Sequence, residues 1–181
     1  MRIAVVQMNQ GSDKAANIDQ ARRLIEGAVA ADRPDMVTLP ETWTNLGGGR
    51  EARMRAAETL PEPGGTGGEA YEFLRATARL HGIHVHGGSI IEAGGEGGKL
   101  FNTSLLFDPD GREVARYRKI HLFDITAPDG TGYRESALYG AGTELACVEA
   151  GGVRWGLTIC YDMRFGEQFA ALRAMGAEAI L

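Results

Sequence analysis

Two hydrophobic periods alternate along the chain, and the switches between them mark its elements. Ile3-Ala4-Val5-Val6-Gln7-Met8 is a nearly continuous apolar run, which suits a strand covered on both faces. Ser12 or Asp13 then offers a helix cap, with Ala16, Ile18, Ala21, Leu24, Ile25, Ala28 and Val29 approximating one helical face. Asp32-Arg33-Pro34 breaks that helix. Asp35 to Leu39 reads as a short buried strand running into Pro40-Glu41-Thr42-Trp43, so Glu41 falls just past a strand's C-terminal end.

Asn45-Leu46-Gly47-Gly48-Gly49 and the stretch Pro61 to Gly68 predict loops, with a short helix at Arg50 to Ala57 between them. Neither glycine run is followed by the Lys-Ser/Thr of a phosphate-binding loop. Glu69 to His81 carries Ala70, Phe73, Leu74, Ala78 and Leu80 at helical spacing and is stopped by Gly82. Ile83 to Ile91, Leu100 to Phe107 and Glu113 to Arg118 follow as strands, and the short turns between them favour hairpins over helical crossovers. Asp124 to Gly142 is rich in Pro, Gly and Tyr and shows no regular period; loops of that length inside compact domains are usually functional or disordered. A strand at Glu144 to Glu149, a turn at Gly151-Gly152, a strand from Val153 into Ile159 and a helix at Phe165 to Met175 come next. Gly176 stops the helix, and Ala177 to Leu181 begins another buried strand. The order is α/β, with no internal repeat and no linker.

Composition narrows the function. With 181 residues, 44% hydrophobic and 24% charged, the chain can bury one core and is expected to form a single domain. Nineteen basic against 24 acidic residues leave a formal charge of −5, and no Lys/Arg cluster faces an aromatic series. That argues against nucleic acid and anionic membranes as partners and for small molecules or proteins. The first apolar run is too short for a signal segment or a membrane span. Cys147 and Cys160 have neither disulfide-framework nor zinc-site spacing, so a reducing, cytoplasmic setting is expected.

Cys160 is where chemistry enters. It stands between a strand-like run and a helical one, the kind of junction that exposes a nucleophile beside backbone N–H groups. Taken alone, a free cysteine is more often a small buried hydrophobe. His84 and His86 share a strand face, but no third ligand accompanies them, so no metal and no other cofactor is expected. Three stretches do leave an apolar run with a reactive side chain: Leu39-Pro40-Glu41, Tyr117-Arg118-Lys119-Ile120-His121-Leu122-Phe123-Asp124, and Thr158-Ile159-Cys160-Tyr161-Asp162.

In that order the three stretches resemble the carbon–nitrogen hydrolase (nitrilase) superfamily, whose signature is a Glu-Lys-Cys triad. The resemblance implies Glu41 as general base, Lys119 as cationic stabiliser and proton donor, Cys160 as nucleophile, and Glu135, in Tyr133-Arg134-Glu135-Ser136, as a second glutamate. Tyr161-Asp162-Met163-Arg164-Phe165 and Lys119 to Asp124 resemble the omega-amidase and deaminated-glutathione amidase branch. Implied, then, is hydrolysis of a small carboxylate-bearing amide through a thioester with release of ammonia, by a homodimer or higher homo-oligomer. The Tyr161 N–H is expected to join Lys119 at the oxyanion. Trp43 and Tyr161 are expected either near the substrate or in aromatic packing. The arginine that grips a substrate carboxylate stays open among Arg50, Arg118, Arg134 and Arg164.

The family fold is an αββα sandwich, and its members continue through further strands and a helix. The resemblance therefore implies one carbon–nitrogen hydrolase domain over residues 1–181 that lacks its C-terminal portion. Two other readings follow. One is a nitrilase or carbamoylase with the same triad; the other is an incompetent fragment that acts only by association through an open strand at Ala179-Ile180-Leu181.

Overall fold

A computed structural model describes residues 1–62 and 64–181. Pro63, within the second expected loop, lies outside the described residues.

The first sheet begins with three parallel strands, β1 (Ile3–Val5), β2 (Met36–Thr38) and β3 (His84–His86), with Met36 in register with both Ile3 and His84. Two helices make the crossovers. α1 (Lys14–Asp32) starts at Asp13, whose carboxylate accepts from the Ala16 N–H at 3.1 Å, and α3 (Glu69–His81) follows a shorter α2 (Gly49–Ala56). The sheet is completed by β4 (Ile90–Ala93), β5 (Leu100–Phe107) and β6 (Glu113–Arg118), joined as antiparallel hairpins. β5 pairs β6 along one side and both β3 and β4 along the other.

α1 and α3 cover one face of this sheet. Ile18, Ala21, Ile25, Ala70, Leu74 and Ala78 from the helices meet Val37, Val85, Leu105 and Phe107 from the strands. The opposite face packs on a second sheet of β9 (Cys147–Ala150), β10 (Val153–Gly156) and β11 (Ala179–Ile180), through Met36, Leu106, Ala150 and Trp155. α4 (Gly166–Ala174) covers the second sheet, its buried Leu172 lying against Gly156, where a Cβ would stand 3.0 Å from a leucine methyl. The layers thus run helix, sheet, sheet, helix, as an αββα sandwich requires, with three strands in the second sheet among the described residues.

Four elements differ from expectation. The run Ile3 to Met8 forms a strand only as far as Val5, whose side chain is 81% exposed. Ile3 and Val5 point to the same side, toward the second sheet, and that sheet's apolar cluster takes in Ile3 but not Val5. Residues 83–91, read as one strand, are two. Gly88 at φ +53 breaks them, and a Cβ there would meet the Pro40 and Leu39 carbonyl oxygens at 2.1 and 2.3 Å. The region 124–142 holds a short hairpin, β7 (Asp124–Thr126) with β8 (Gly132–Arg134), and a 3₁₀ turn at Glu135–Ala137. Finally, β10 stops at Gly156, and the expected continuation to Ile159 is extended chain held by Leu157 N–H to Ala146 O and Thr158 N–H to Leu181 O.

Candidate active site

The sheet architecture brings distant segments to one cavity of about 340 Å³, whose walls include Glu41, Asn102, Lys119, Phe123, Glu135 and Cys160. Glu41 leaves the end of β2 in a tight turn. Thr42 takes a left-handed φ of 45, its N–H held by Ser89 Oγ at 2.9 Å, and the Gly88 backbone passes against Leu39 and Pro40. Cys160 opens a 3₁₀ turn over Cys160–Arg164 and is itself left-handed, at φ 48. A non-glycine residue in that conformation costs on the order of 1–3 kcal/mol, which the surrounding structure must offset.

Asp162 supplies much of that restraint. Wholly buried, it accepts at Oδ2 from the Ile159 N–H (2.9 Å) and the Tyr117 hydroxyl (2.7 Å), and at Oδ1 from the His121 N–H (3.0 Å) and Nδ1 (2.8 Å). His121 also stacks on Phe165, ring centroids 3.6 Å apart. The cysteine turn is thereby fastened to the end of β6, the strand that delivers Lys119.

Lys119 is the most buried charge in the cavity wall, at 2% exposure. Its ammonium lies 2.9 Å from Glu135 Oε2 and 3.3 Å from Glu41 Oε1. Burial by itself would push this ammonium down, but Glu41 and Glu135, with Cys160 beside them, outweigh it and hold it above the ordinary lysine value. Glu135 is fixed in turn by the Phe123 N–H on Oε2 at 2.6 Å, and Glu41 by Asn102 Nδ2 on Oε1 at 2.8 Å. Cys160 is exposed to solvent at the cavity, yet desolvation and the Glu41 carboxylate push its thiol up, against the opposing pull of Lys119.

Glu41, Lys119, Glu135 and Cys160 share one cavity. Trp43 does not: fully buried, it packs on Phe73 and donates Nε1 to the Gly87 carbonyl at 2.9 Å, so of its two expected settings it occupies aromatic packing. Tyr161 has its backbone directly after Cys160, while its ring packs edge-on against Phe123 and Phe165. Among the arginines left open, Arg134 lines the cavity. Arg118 is engaged by Glu92 in a bidentate pair at 2.8 and 2.5 Å, and neither Arg50 nor Arg164 is in the wall. Arg53, from α2, is a second cavity arginine that sequence reasoning missed. Asn102 and the Tyr117–Asp162 pair were missed as well. The available signal was Asn102-Thr103-Ser104, three polar residues interrupting an apolar strand.

His84 and His86 hold no shared ligand position. His86 is buried between Thr38 Oγ1 (2.6 Å) and Ser104 Oγ (2.9 Å), and desolvation pushes its pKa down to about 4. Among the described residues no group of three His, Cys, Asp or Glu side chains is arranged to hold a metal ion, and no helix is long and apolar enough to cross a membrane.

A family model for carbon-nitrogen hydrolases matches residues 2–181. The chain belongs to the carbon–nitrogen hydrolase family. It is 39% identical to omega-amidase NIT2 of Danio rerio over 166 residues, covering 92% of this chain and 56% of that protein. It is 35% identical to the deaminated glutathione amidase of Synechocystis over 181 residues, covering 98% and 63%. The crystal structure of Saccharomyces cerevisiae Nit3, a member of branch 10 of the nitrilase superfamily, superposes with a TM-score of 0.85 at 28% identity, over 99% of this chain and 62% of that one. The chain thus spans roughly three-fifths of the length of these relatives. Its fold is that of the nitrilase superfamily.

Proposed function

We propose that this chain carries the catalytic half-site of an amidase that hydrolyses a small carboxylate-bearing amide, omega-amidase-like, through a cysteine thioester. The observation that carries the reading is the buried Lys119 ammonium set between Glu41 and Glu135 in the cavity that Cys160 enters. The amidase names of the relatives support the reaction class.

Glu41 takes the thiol proton as Cys160 Sγ bonds to the carboxamide carbon, which the raised thiol makes necessary. The carbonyl oxygen becomes an oxyanion, for which Lys119 and the Tyr161 N–H serve as donors; one such donor is worth about 3–4 kcal/mol. Glu41 returns the proton to the nitrogen, the C–N bond breaks, ammonia leaves and a thioester remains. Water then gives its proton to Glu41 and attacks the thioester carbon, and collapse of the adduct releases the carboxylic acid and restores the thiol. Glu135 keeps Lys119 charged and aimed throughout. Arg134 and Arg53 provide cationic partners for the distal carboxylate of the substrate. The free Cys147 and Cys160 suit a reducing, cytoplasmic setting.

Ammonia release from an omega-amide such as α-ketoglutaramate, compared between the wild-type chain and Cys160→Ala, tests the proposal. Turnover that depends on Cys160 is expected, and equal rates in the two proteins would sink it. Nitrile and carbamoyl substrates run alongside separate the amidase from the other chemistries that use this triad.

A further inference from the structure

Glu41 has two carboxylate oxygens, and the structure treats them differently. Oε1 receives both Asn102 Nδ2 at 2.8 Å and the Lys119 ammonium at 3.3 Å. Neither Asn102 nor Lys119 is hydrogen-bonded to Oε2, and the Cys160 thiol is a hydrogen-bonding neighbour of the same carboxylate. Cys160 adjoins the same carboxylate, the two residues sharing the walls of the main cavity and of a smaller recess of about 120 Å³ behind it. A carboxylate accepts and never donates when ionised, so the Asn102 amide must present its nitrogen to Glu41.

Asn102 is rigid for reasons outside the site. It lies within β5 at 1% exposure, in register with Ile91 of β4 on one side, and on the other its carbonyl accepts the Lys119 N–H at 2.9 Å. One residue therefore ties the carboxylate to the backbone that carries the cation. We propose that Asn102 is a positioning residue: it holds Glu41 by Oε1 and so leaves Oε2 as the oxygen that takes the Cys160 proton. The charged and titratable groups around this carboxylate are Lys119, Glu135, Cys160 and Tyr139, with Arg53, Tyr133 and Arg134 on the cavity wall. Asn102 is neutral and fixes direction without adding charge. The inference rests on Glu41 as base, and its tests do not require amide turnover.

Iodoacetamide alkylation of Cys160 across pH, in the wild type and Asn102→Ala, is the first test. Loss of the donor lets the Glu41 carboxylate turn away from Cys160, so the rate at neutral pH falls roughly tenfold and the limb of the profile is displaced. A variant with a lowered melting temperature and an unmoved limb overturns the inference, since a purely structural role does only that. The second test uses the wild-type chain and needs no Asn102 variant to fold. The side-chain amide proton signals of Asn102 follow a carboxylate titration that Glu41→Gln abolishes; signals indifferent to Glu41 overturn it. A displaced limb without ammonia release supports the positioning role and counts against the amidase reading, whereas amide turnover with an unmoved limb does the reverse.

Discussion

The Tyr117 hydroxyl donates to Asp162 Oδ2 at 2.7 Å, joining positions 45 apart in sequence, both of them buried. Gln168 Nε2 donates to the same hydroxyl at 2.8 Å, and that oxygen also accepts the Ile120 N–H at 3.2 Å. The Cys160 turn, the segment after Lys119 and α4 are thus locked through two side chains. Asp162→Ala leaves buried N–H and O–H donors without an acceptor, at about 1–3 kcal/mol each. A loss of at least about 3 kcal/mol is expected, or roughly 6–12 °C in melting temperature for a chain of this size. Tyr117→Phe, which removes one donor, should lose about 1–2 kcal/mol. Thermal unfolding of the two variants checks the order; an Asp162→Ala chain as stable as wild type contradicts the hub.

Glu135 is expected to show itself at the basic side of the pH–rate profile. Lys119 is held up by Glu41 and Glu135 against the opposing effect of burial, so Glu135→Gln lowers the pH at which the ammonium loses its proton. The basic limb of kcat/KM should move to lower pH, with a loss of about 10²–10³ in rate if the oxyanion donor is also misaligned. An unchanged limb with a uniform loss would separate Glu135 from Lys119.

His86 makes stability depend on acid. Its folded-state pKa is about 4 against an ordinary 6.5, because burial disfavours the charged ring. Below the ordinary value the unfolded chain binds a proton that the folded chain does not, so this contribution is fully present above about 6.5 and is lost as pH falls toward 4. The loss is on the order of 3 kcal/mol across that window. Urea unfolding of wild type and His86→Gln, compared at the two ends, should show a smaller acid loss in the variant.

Cys160 is exposed, whereas Cys147 is half-buried on β9. Alkylation with iodoacetamide followed by peptide mass analysis should label Cys160 first, and its rate should keep rising through the pH range where an ordinary thiol levels off, since the thiol is pushed up. Faster labelling of Cys147 contradicts the site.

Gly88 is a test of the scaffold. Gly88→Ala forces a left-handed φ on alanine and drives a Cβ against two backbone oxygens that cannot swing away. The expected outcome is displacement of Leu39-Pro40-Glu41, with a loss of Cys160 reactivity larger than the loss of stability explains.

The α/β order, α1 and α3 and the hairpins from β4 to β6 were legible from local pattern, and Glu41, Lys119, Glu135 and Cys160 as candidates from the resemblance of their motifs to a known family. Apolar period, caps, turn residues and motif order are properties of neighbouring residues, and a linear reading reaches them. What Asn102, Arg53, Asp162 and Trp43 do was not legible, because each is decided by a partner far along the chain. Asn102 meets Glu41 across 61 positions, and Lys119 meets it across 78. Trp43, two residues from Glu41, carries the same local signal whether it faces substrate or core; the approach of Gly87 and Phe73 settled that it faces core. Sequence alone determined which groups could react, since that follows from their chemistry. Only the tertiary structure decided which oxygen, which arginine and which backbone turn stand beside them, since hydrogen-bond direction and burial exist only once distant strands have paired.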